Sequence, residues 1–232
     1  MRFHRFFIPQ PISIGESVVI RDADLLHQWQ RVFRYRSGRE VILFDGSGYD
    51  YRSVIEKISK SEAELKVLKM DKAASPLKAI TLYLSLLKKN NFELVLEKGT
   101  EIGISAFVPV QSDRSEKKGF NIARCRKIIK EAAEQSGRGI LPALSEKEEL
   151  STIIERAEIP LLAFDSAGKT FDSSQFKNFG ALGVLIGPEG GWSDGELELF
   201  KKKNVEIQSL GPLTLRAETA AIVGTFSLLI DK

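Results

Sequence analysis

The sequence predicts an α/β protein in two parts: a mostly β domain over residues 1–72 and a parallel sheet covered by helices over residues 73–232. Three observations predict it. Before Met70 the chain shows short strand-like runs separated by turn signals. After Ala79 apolar strand runs alternate with segments of helical spacing, the pattern of a parallel sheet with helices on both faces. Late in the chain two apolar runs end in glycine-punctuated loops that lead into helices, and ligands in open α/β sheets settle at such loops.

In the first part, Phe3 to Ile8, Glu40 to Phe44, Tyr51 to Ile58 and Glu62 to Met70 read as strands, with Asp45-Gly46-Ser47-Gly48 as a turn between two of them. One helix is expected over Ala23 to Phe33, capped by Asp22. A small β barrel with one helix fits this pattern. Residues 71–76 are small and polar, and Pro76 disfavours helix before it, so the domain boundary is set there.

In the second part, Ile80 to Leu87 is a continuous apolar strand of the buried kind. A helix follows over Asn90 to Ile102, then a strand over Ala106 to Val110 and an amphipathic helix over Asn121 to Ser136 stopped by Gly137. Pro160 to Phe164 and Leu182 to Ile186 are further strands, with Ala167 to Phe179 read as a loop between them. Ser193 and Glu196 form a capping-box pair at the start of a helix reaching Lys202. Val205 to Leu210 is the last strand and Arg216 to Ile230 the last helix. No internal repeat or low-complexity tract is present.

Composition sets broad limits. With 43% hydrophobic and 28% charged residues the chain is of ordinary soluble type. The single cysteine, Cys125, cannot form an internal disulfide and points to a reducing compartment. No leader pattern opens the chain and no apolar stretch is long enough to span a bilayer, so a cytoplasmic protein without membrane contact is expected. The whole net charge of +3 resides in residues 1–72, where Arg31, Arg34, Arg36 and Arg39 crowd together. A second basic stretch runs from Arg114 through Lys117, Lys118, Arg124, Arg126, Lys127 and Lys130 to Arg138. Such blocks are either solvated helix faces or contacts for a phosphate backbone. Trp29, Phe33 and Tyr35 beside the first block are either base-stacking rings or core.

The two late loops carry the chemistry. Gly187-Pro188-Glu189-Gly190-Gly191 offers backbone N–H and C=O groups with little side chain, suited to a purine edge or a ribose. It lacks the Lys-Ser/Thr of a phosphate-cradling loop and the spacing of a dinucleotide fingerprint. Leu210 to Arg216 forms the second loop. Arg216 stands at the end of a helix where a cation is disfavoured, either to pair with Glu218 or Glu189 or to present a fixed positive charge to a pocket. No metal is expected: only His4 and His27 are available and no ligand spacing exists.

With these residues in view, the chain resembles the bacterial ribosomal RNA small subunit methyltransferase E family, within the knotted SPOUT superfamily. The likeness runs through His27 to Val32, Arg34 and Gly38 to Gly46, then Lys98 to Gly103, Pro109, Asp113-Arg114-Ser115, Ala132 to Arg138 and Pro142. It closes on Ile186 to Gly191 and Leu210 to Ala220. Lys88-Lys89-Asn90 and Gly99 depart mildly from the family pattern.

The resemblance implies an N-terminal PUA-like β barrel for RNA and a C-terminal SPOUT α/β domain with a trefoil knot. It implies S-adenosylmethionine as methyl donor, N3 of one uridine in 16S ribosomal RNA as acceptor, the small ribosomal subunit or its RNA as partner, and a homodimer. The donor is then expected on Ile186, Gly187, Gly190, Gly191, Leu210, Gly211, Leu213 and Leu215, with Phe164 closing one side. Arg216 is the first candidate to stabilise charge on the deprotonated base and Arg114 the second. Glu189 or Glu218 would accept the proton or orient Arg216. RNA is expected on Arg31, Arg34, Arg36, Arg114 and Arg138. A non-enzymatic ribosome-assembly factor, or a related enzyme modifying another RNA position, are the alternative readings.

Overall fold

This computed structural model describes residues 3–76, 78–116 and 121–230. Lys117 and Lys118 of the second basic stretch lie outside the described residues. The chain divides into one unit of residues up to Ser75 with Ala133–Ile140, and another of Pro76–Ala132 with Leu141 onward.

The first unit holds strands β1 (Arg5–Phe7), β2 (Ser17–Ile20), β3 (Glu40–Phe44), β4 (Tyr49–Ile58) and β5 (Ala63–Lys72), and helix α1 (Ala23–His27). They form one five-stranded sheet of order β1-β3-β4-β5-β2, with β1 parallel to β3 and the other pairs antiparallel. The sequence pattern did not predict β2; its four residues become a strand by pairing with Ala63 to Lys66 of β5. The expected turn forms, with the Asp45 carboxylate accepting from Ser47 N at 3.0 Å and Ile12 N at 3.1 Å. Burial opposes ionisation of Asp45, but the Ser47 hydroxyl together with these backbone N–H groups outweighs it and holds its carboxyl below the ordinary value.

The predicted helix is shorter than the pattern reads. Asp22 caps it by accepting from Leu25 N at 3.0 Å, yet after His27 the coil widens into a π turn over Gln28–Val32. Phe33 N closes that turn on Gln28 O, and Arg34, at φ +55°, ends it. Trp29 is fully buried and Tyr35 is 8% exposed, packed among Phe6, Leu26, Leu43, Ile55 and Leu65. Of the two readings left open for Trp29 and Tyr35, the structure selects core.

The second unit carries β6 (Ala79–Ser85), α2 (Lys89–Ile102), β7 (Ala106–Gln111), α3 (Ile122–Ser136, its last turn counted with the first unit), β8 (Ala143–Leu144), β9 (Glu148–Glu149) and α4 (Leu150–Arg156). It continues with β10 (Leu161–Thr170), β11 (Ala181–Ile186), α5 (Asp194–Lys202), β12 (Glu206–Ser209) and α6 (Ala217–Ile230). The sheet has seven strands in the order β12-β10-β11-β6-β7-β8, with β9 also on β7, and every pair is parallel.

Alternation along the apolar runs explains the two-sided burial. Leu162, Phe164, Leu182, Val184 and Ile186 join α2, α3 and α6 residues in one core cluster. Leu161, Ala163 and Leu185 join Ile153 and Ile154 of α4 and Phe200 of α5 in another. Gly99, a departure from the family pattern, lies where a Cβ would meet Ile104 and Phe107 side-chain carbons at 2.7–2.8 Å, so α2 owes its seat on the sheet to that glycine.

The segment read as a loop after Phe164 is partly strand. Pairing with β12 breaks between Phe164 and Lys169, then resumes as Lys169 and Thr170 oppose Gln208 and Ser209. Gly168 rests on the Gln208 backbone, where a Cβ would be 2.7 Å away. A 3-10 turn follows over Ser173–Phe176, with Asp172 capping Ser174 N. The short α4, β8 and β9 had no period long enough to predict.

Candidate functional site

Strands β12, β10 and β11 are neighbours, so the loops leaving their carboxyl ends converge. Between those loops opens a cavity of about 700 Å³. Its wall is Phe164, Asp165 and Ser166 from β10, Ile186 to Trp192 after β11, Ser209, Leu210 and Leu213 to Arg216 after β12, and Ala217, Glu218 and Ala220 from the first turn of α6. Lys88 and Asn91 at the start of α2 complete it. Ligand sites of open α/β sheets occupy this position.

Close packing sets the cavity's shape. A Cβ on Gly224 would stand 2.5 Å from the Phe164 ring, so glycine lets α6 lie directly on that ring. Trp192 donates its Nε1–H to Phe164 O at 3.3 Å, and its indole lies against Gly187, where a Cβ would be 3.1 Å away. Trp192 was not singled out from the sequence; its place just beyond the glycine run is the signal that marked it.

The glycine loop is held from two sides. Arg114 donates from Nη1 to Gly190 O at 3.0 Å and Trp192 O at 3.1 Å. The expected capping box forms, and its Glu196 also accepts from Asp113 N at 2.9 Å, while Ser193 Oγ donates to Asp113. Across the cavity, Glu189 accepts from Lys88 N at 3.2 Å and Asn91 Nδ2 at 3.4 Å. Lys88 offers α2 no side-chain cap, so Glu189 supplies the anion that a helix N-terminus favours.

Of the residues expected to hold a ligand, Phe164, Ile186, Gly187, Gly190, Gly191, Leu210, Leu213 and Leu215 all line the cavity. Gly211 is outside the wall; at φ +139°, with its carbonyl accepting from Ser209 Oγ at 3.1 Å, it turns the chain into the second loop. Arg216 and Glu189 line the cavity, whereas Arg114 stands behind the loop it holds. Arg216 is exposed and its carbonyl accepts from Ala220 N at the start of α6. None of the ion pairs among the described residues joins it to Glu189 or Glu218. Glu218 is 8% exposed, and its Oε2 is buried with no hydrogen-bond partner.

The arginines expected on RNA divide. Arg31, Arg34 and Arg36 are exposed in the first unit. Arg138 is instead buried at 9% exposure, with its Nε donating to Ile140 O at 3.2 Å, and burial pushes its guanidinium down to about 10. Its charge is spent inside the first unit, which corrects its assignment to an RNA-facing set. Cys125 is buried too, and burial pushes its thiol up to about 11. Among the described residues no group of three His, Cys, Asp or Glu side chains could hold a metal ion, and no helix is long and apolar enough to cross a membrane.

Comparison with known proteins agrees with this geometry. Residues 73–228 match the RNA methyltransferase domain family, and residues 30–68 match the RNA methyltransferase PUA domain family. A ribosomal RNA small subunit methyltransferase E of Synechocystis sp. is 32% identical over 222 residues, covering 92% of this chain and 73% of that one. A ribosomal RNA small subunit methyltransferase E 2 of Borreliella burgdorferi is 30% identical, with 90% and 89% covered. The crystal structure of a ribosomal RNA small subunit methyltransferase E from Neisseria gonorrhoeae, bound to S-adenosyl methionine, superposes with a TM-score of 0.87 at 26% identity, covering 96% of this chain and 95% of that one. With the RNA methyltransferase domain match spanning most of its length and two relatives at 30–32% identity over at least 90% of it, this chain belongs to the ribosomal RNA small subunit methyltransferase E family.

Proposed function

We propose that the protein transfers a methyl group from S-adenosylmethionine to N3 of one uridine in 16S ribosomal RNA, in the cytoplasm and as a homodimer. The observation that carries this reading is the cavity at the ends of β10, β11 and β12, lined by the glycine loop after β11 and the loop before α6, with the exposed Arg216 on its wall. The wall suits the donor. Glycine backbone after β11 and the Leu210–Leu215 backbone offer hydrogen bonds to a nucleoside, while Phe164, Ile186, Leu213 and Leu215 supply apolar surface. Gly211 sets the course of the second loop. The donor supplies an electrophilic methyl on a sulfonium, and that chemistry is its own.

The chain's residues must prepare the acceptor. Deprotonating a uridine imide leaves negative charge on O2 and O4. Arg216, fixed at the start of α6, stabilises that charge as an oxyanion hole does. Arg114 and Glu189, the other catalytic candidates, act by holding the glycine loop against Trp192 and α2. The domain of residues 1–72, a PUA-like barrel in this reading, brings Arg31, Arg34 and Arg36 to the RNA backbone. The domain of residues 73–232 carries the transfer. A trefoil knot belongs to the same reading. Exposed Val223, Phe226 and Ile230 lie on one face of α6 and support the homodimer.

Nucleoside mass spectrometry of 16S RNA from a strain lacking the gene tests the reading: 3-methyluridine should be missing and return with the wild-type gene. Replacing Arg216 with Ala should lower kcat by about 100-fold. Binding of S-adenosylmethionine, followed by calorimetry, should change by less than about threefold, because Arg216 acts on the acceptor. Lys should restore only part of the rate, since a planar fork fits adjacent oxygens better than a point charge. Full turnover by Arg216→Ala would remove it from the mechanism.

A further inference from the structure

We propose that Glu218 is the catalytic base, taking the N3–H proton of the acceptor uridine; this rests on the uridine-N3 reading above. Three carboxylates line the cavity: Asp165, Glu189 and Glu218. Two are engaged. Glu189 accepts from Lys88 N and Asn91 Nδ2, and Asp165 accepts from Ala167 N at 2.8 Å. Glu218 is the most enclosed of the three, at 8% exposure, and its Oε2 is buried without a donor. A buried acceptor left unpaired is destabilising and calls for a partner, whether water, an ion or a ligand. A ligand in this cavity that brings an N–H or O–H to Glu218 satisfies it.

The chemistry of the acceptor selects the donor group. An imide presents one N–H flanked by two carbonyl oxygens. The cavity wall holds both groups such an imide calls for, the guanidinium of Arg216 just before α6 and the carboxylate of Glu218 in its first turn. The N3–H proton passes to the Glu218 carboxylate, which becomes the acid. The N3 electron pair forms the bond to the methyl carbon while the carbon–sulfur bond breaks and its pair returns to sulfur. The Glu218 proton then leaves to water.

The surrounding charges leave Glu218 available. Lys88 and Arg216 are the cations of the cavity wall. On the elements packed against α6, Lys78 is buried with its Nζ donating to Phe176 O and Leu228 O. On α2, Glu93 pairs with Arg124 and Lys89, and Lys98 pairs with Glu97 and Glu101.

The test uses the full chain, small ribosomal subunits from a strain lacking the gene, and subunits from such cells grown on 5-fluorouracil, whose 5-fluorouridine has a more acidic imide. Wild-type protein should form 3-methyluridine. Glu218→Gln should bind S-adenosylmethionine within about threefold of wild type by calorimetry, yet lose at least about 100-fold in kcat near neutrality. Its rate should climb about tenfold per pH unit as the imide ionises unaided, and fluorinated subunits should recover at least about tenfold. Glu218→Asp, which keeps a carboxylate, should retain more activity than Gln and serves as the second variant if Gln does not fold. Wild-type turnover in Glu218→Gln overturns the proposal, as does a loss that neither alkali nor the fluorinated acceptor relieves. Failure of the wild-type protein to make 3-methyluridine overturns the underlying reading and this proposal with it.

Discussion

Arg216 and Glu218 differ by two positions and have opposite environments. Arg216 precedes α6 and faces solvent, while Glu218 in the first helical turn is carried inward by the helix's own geometry. The residue that sets how far inward is Gly224, whose missing side chain lets α6 rest on Phe164. Replacing Gly224 with Ala puts a methyl 2.5 Å from that ring, so the ring or the helix must move. Overpacking of this kind costs about 1–3 kcal/mol. The expected outcome is a lower thermal midpoint together with weaker binding of S-adenosylmethionine by calorimetry, because Phe164 lines the cavity. A variant of unchanged affinity would mean that the Phe164 ring does not shape the donor's seat.

At the scale of elements, the loops matter more than the strands they leave. The glycine loop has little side chain of its own to fix it, so its conformation is imposed by Arg114, by Glu189 and by the capping box of α5. Ser193 serves twice, capping Glu196 N and donating to Asp113. Ser193→Ala should therefore lower unfolding free energy by about 1 kcal/mol, the ordinary cost of a lost cap, read from denaturant melts. The donor's KM should rise as well, because Asp113 and Arg114 belong to one strand-end loop. A cap without influence on the loop would lower stability and leave KM alone. The capping pair was legible in sequence, but its link to Asp113 was not, since Asp113 and Ser193 are separated by 80 positions.

For the whole molecule, α6 leaves several apolar residues exposed along one face. Val223, Phe226 and Ile230 are 45%, 44% and 57% exposed at helical spacing. Phe226→Glu should convert the proposed dimer into monomer in sedimentation velocity, since a desolvated charge opposes association. A wild-type protein sedimenting as a monomer would remove the dimer from the reading.

The alternation of apolar strands and helices, the capping pair at Ser193 and Glu196, and both glycine-punctuated loops were readable from the chain, because each depends on neighbours a few residues apart. The strand β2 and the resumption of β10 after Gly168 were not, because each exists through a partner distant in sequence. The same limit applies to charge. Sequence alone determined which residue types are present, and so named Arg114, Arg138, Glu189 and Glu218 as candidates. Only tertiary structure decided that Arg138 is buried in the first unit, that Arg114 and Glu189 brace a loop, and that Glu218 alone of the cavity's carboxylates is left buried and without a donor. Hydrogen bonding and burial are properties of the packed chain, and no local pattern encodes them.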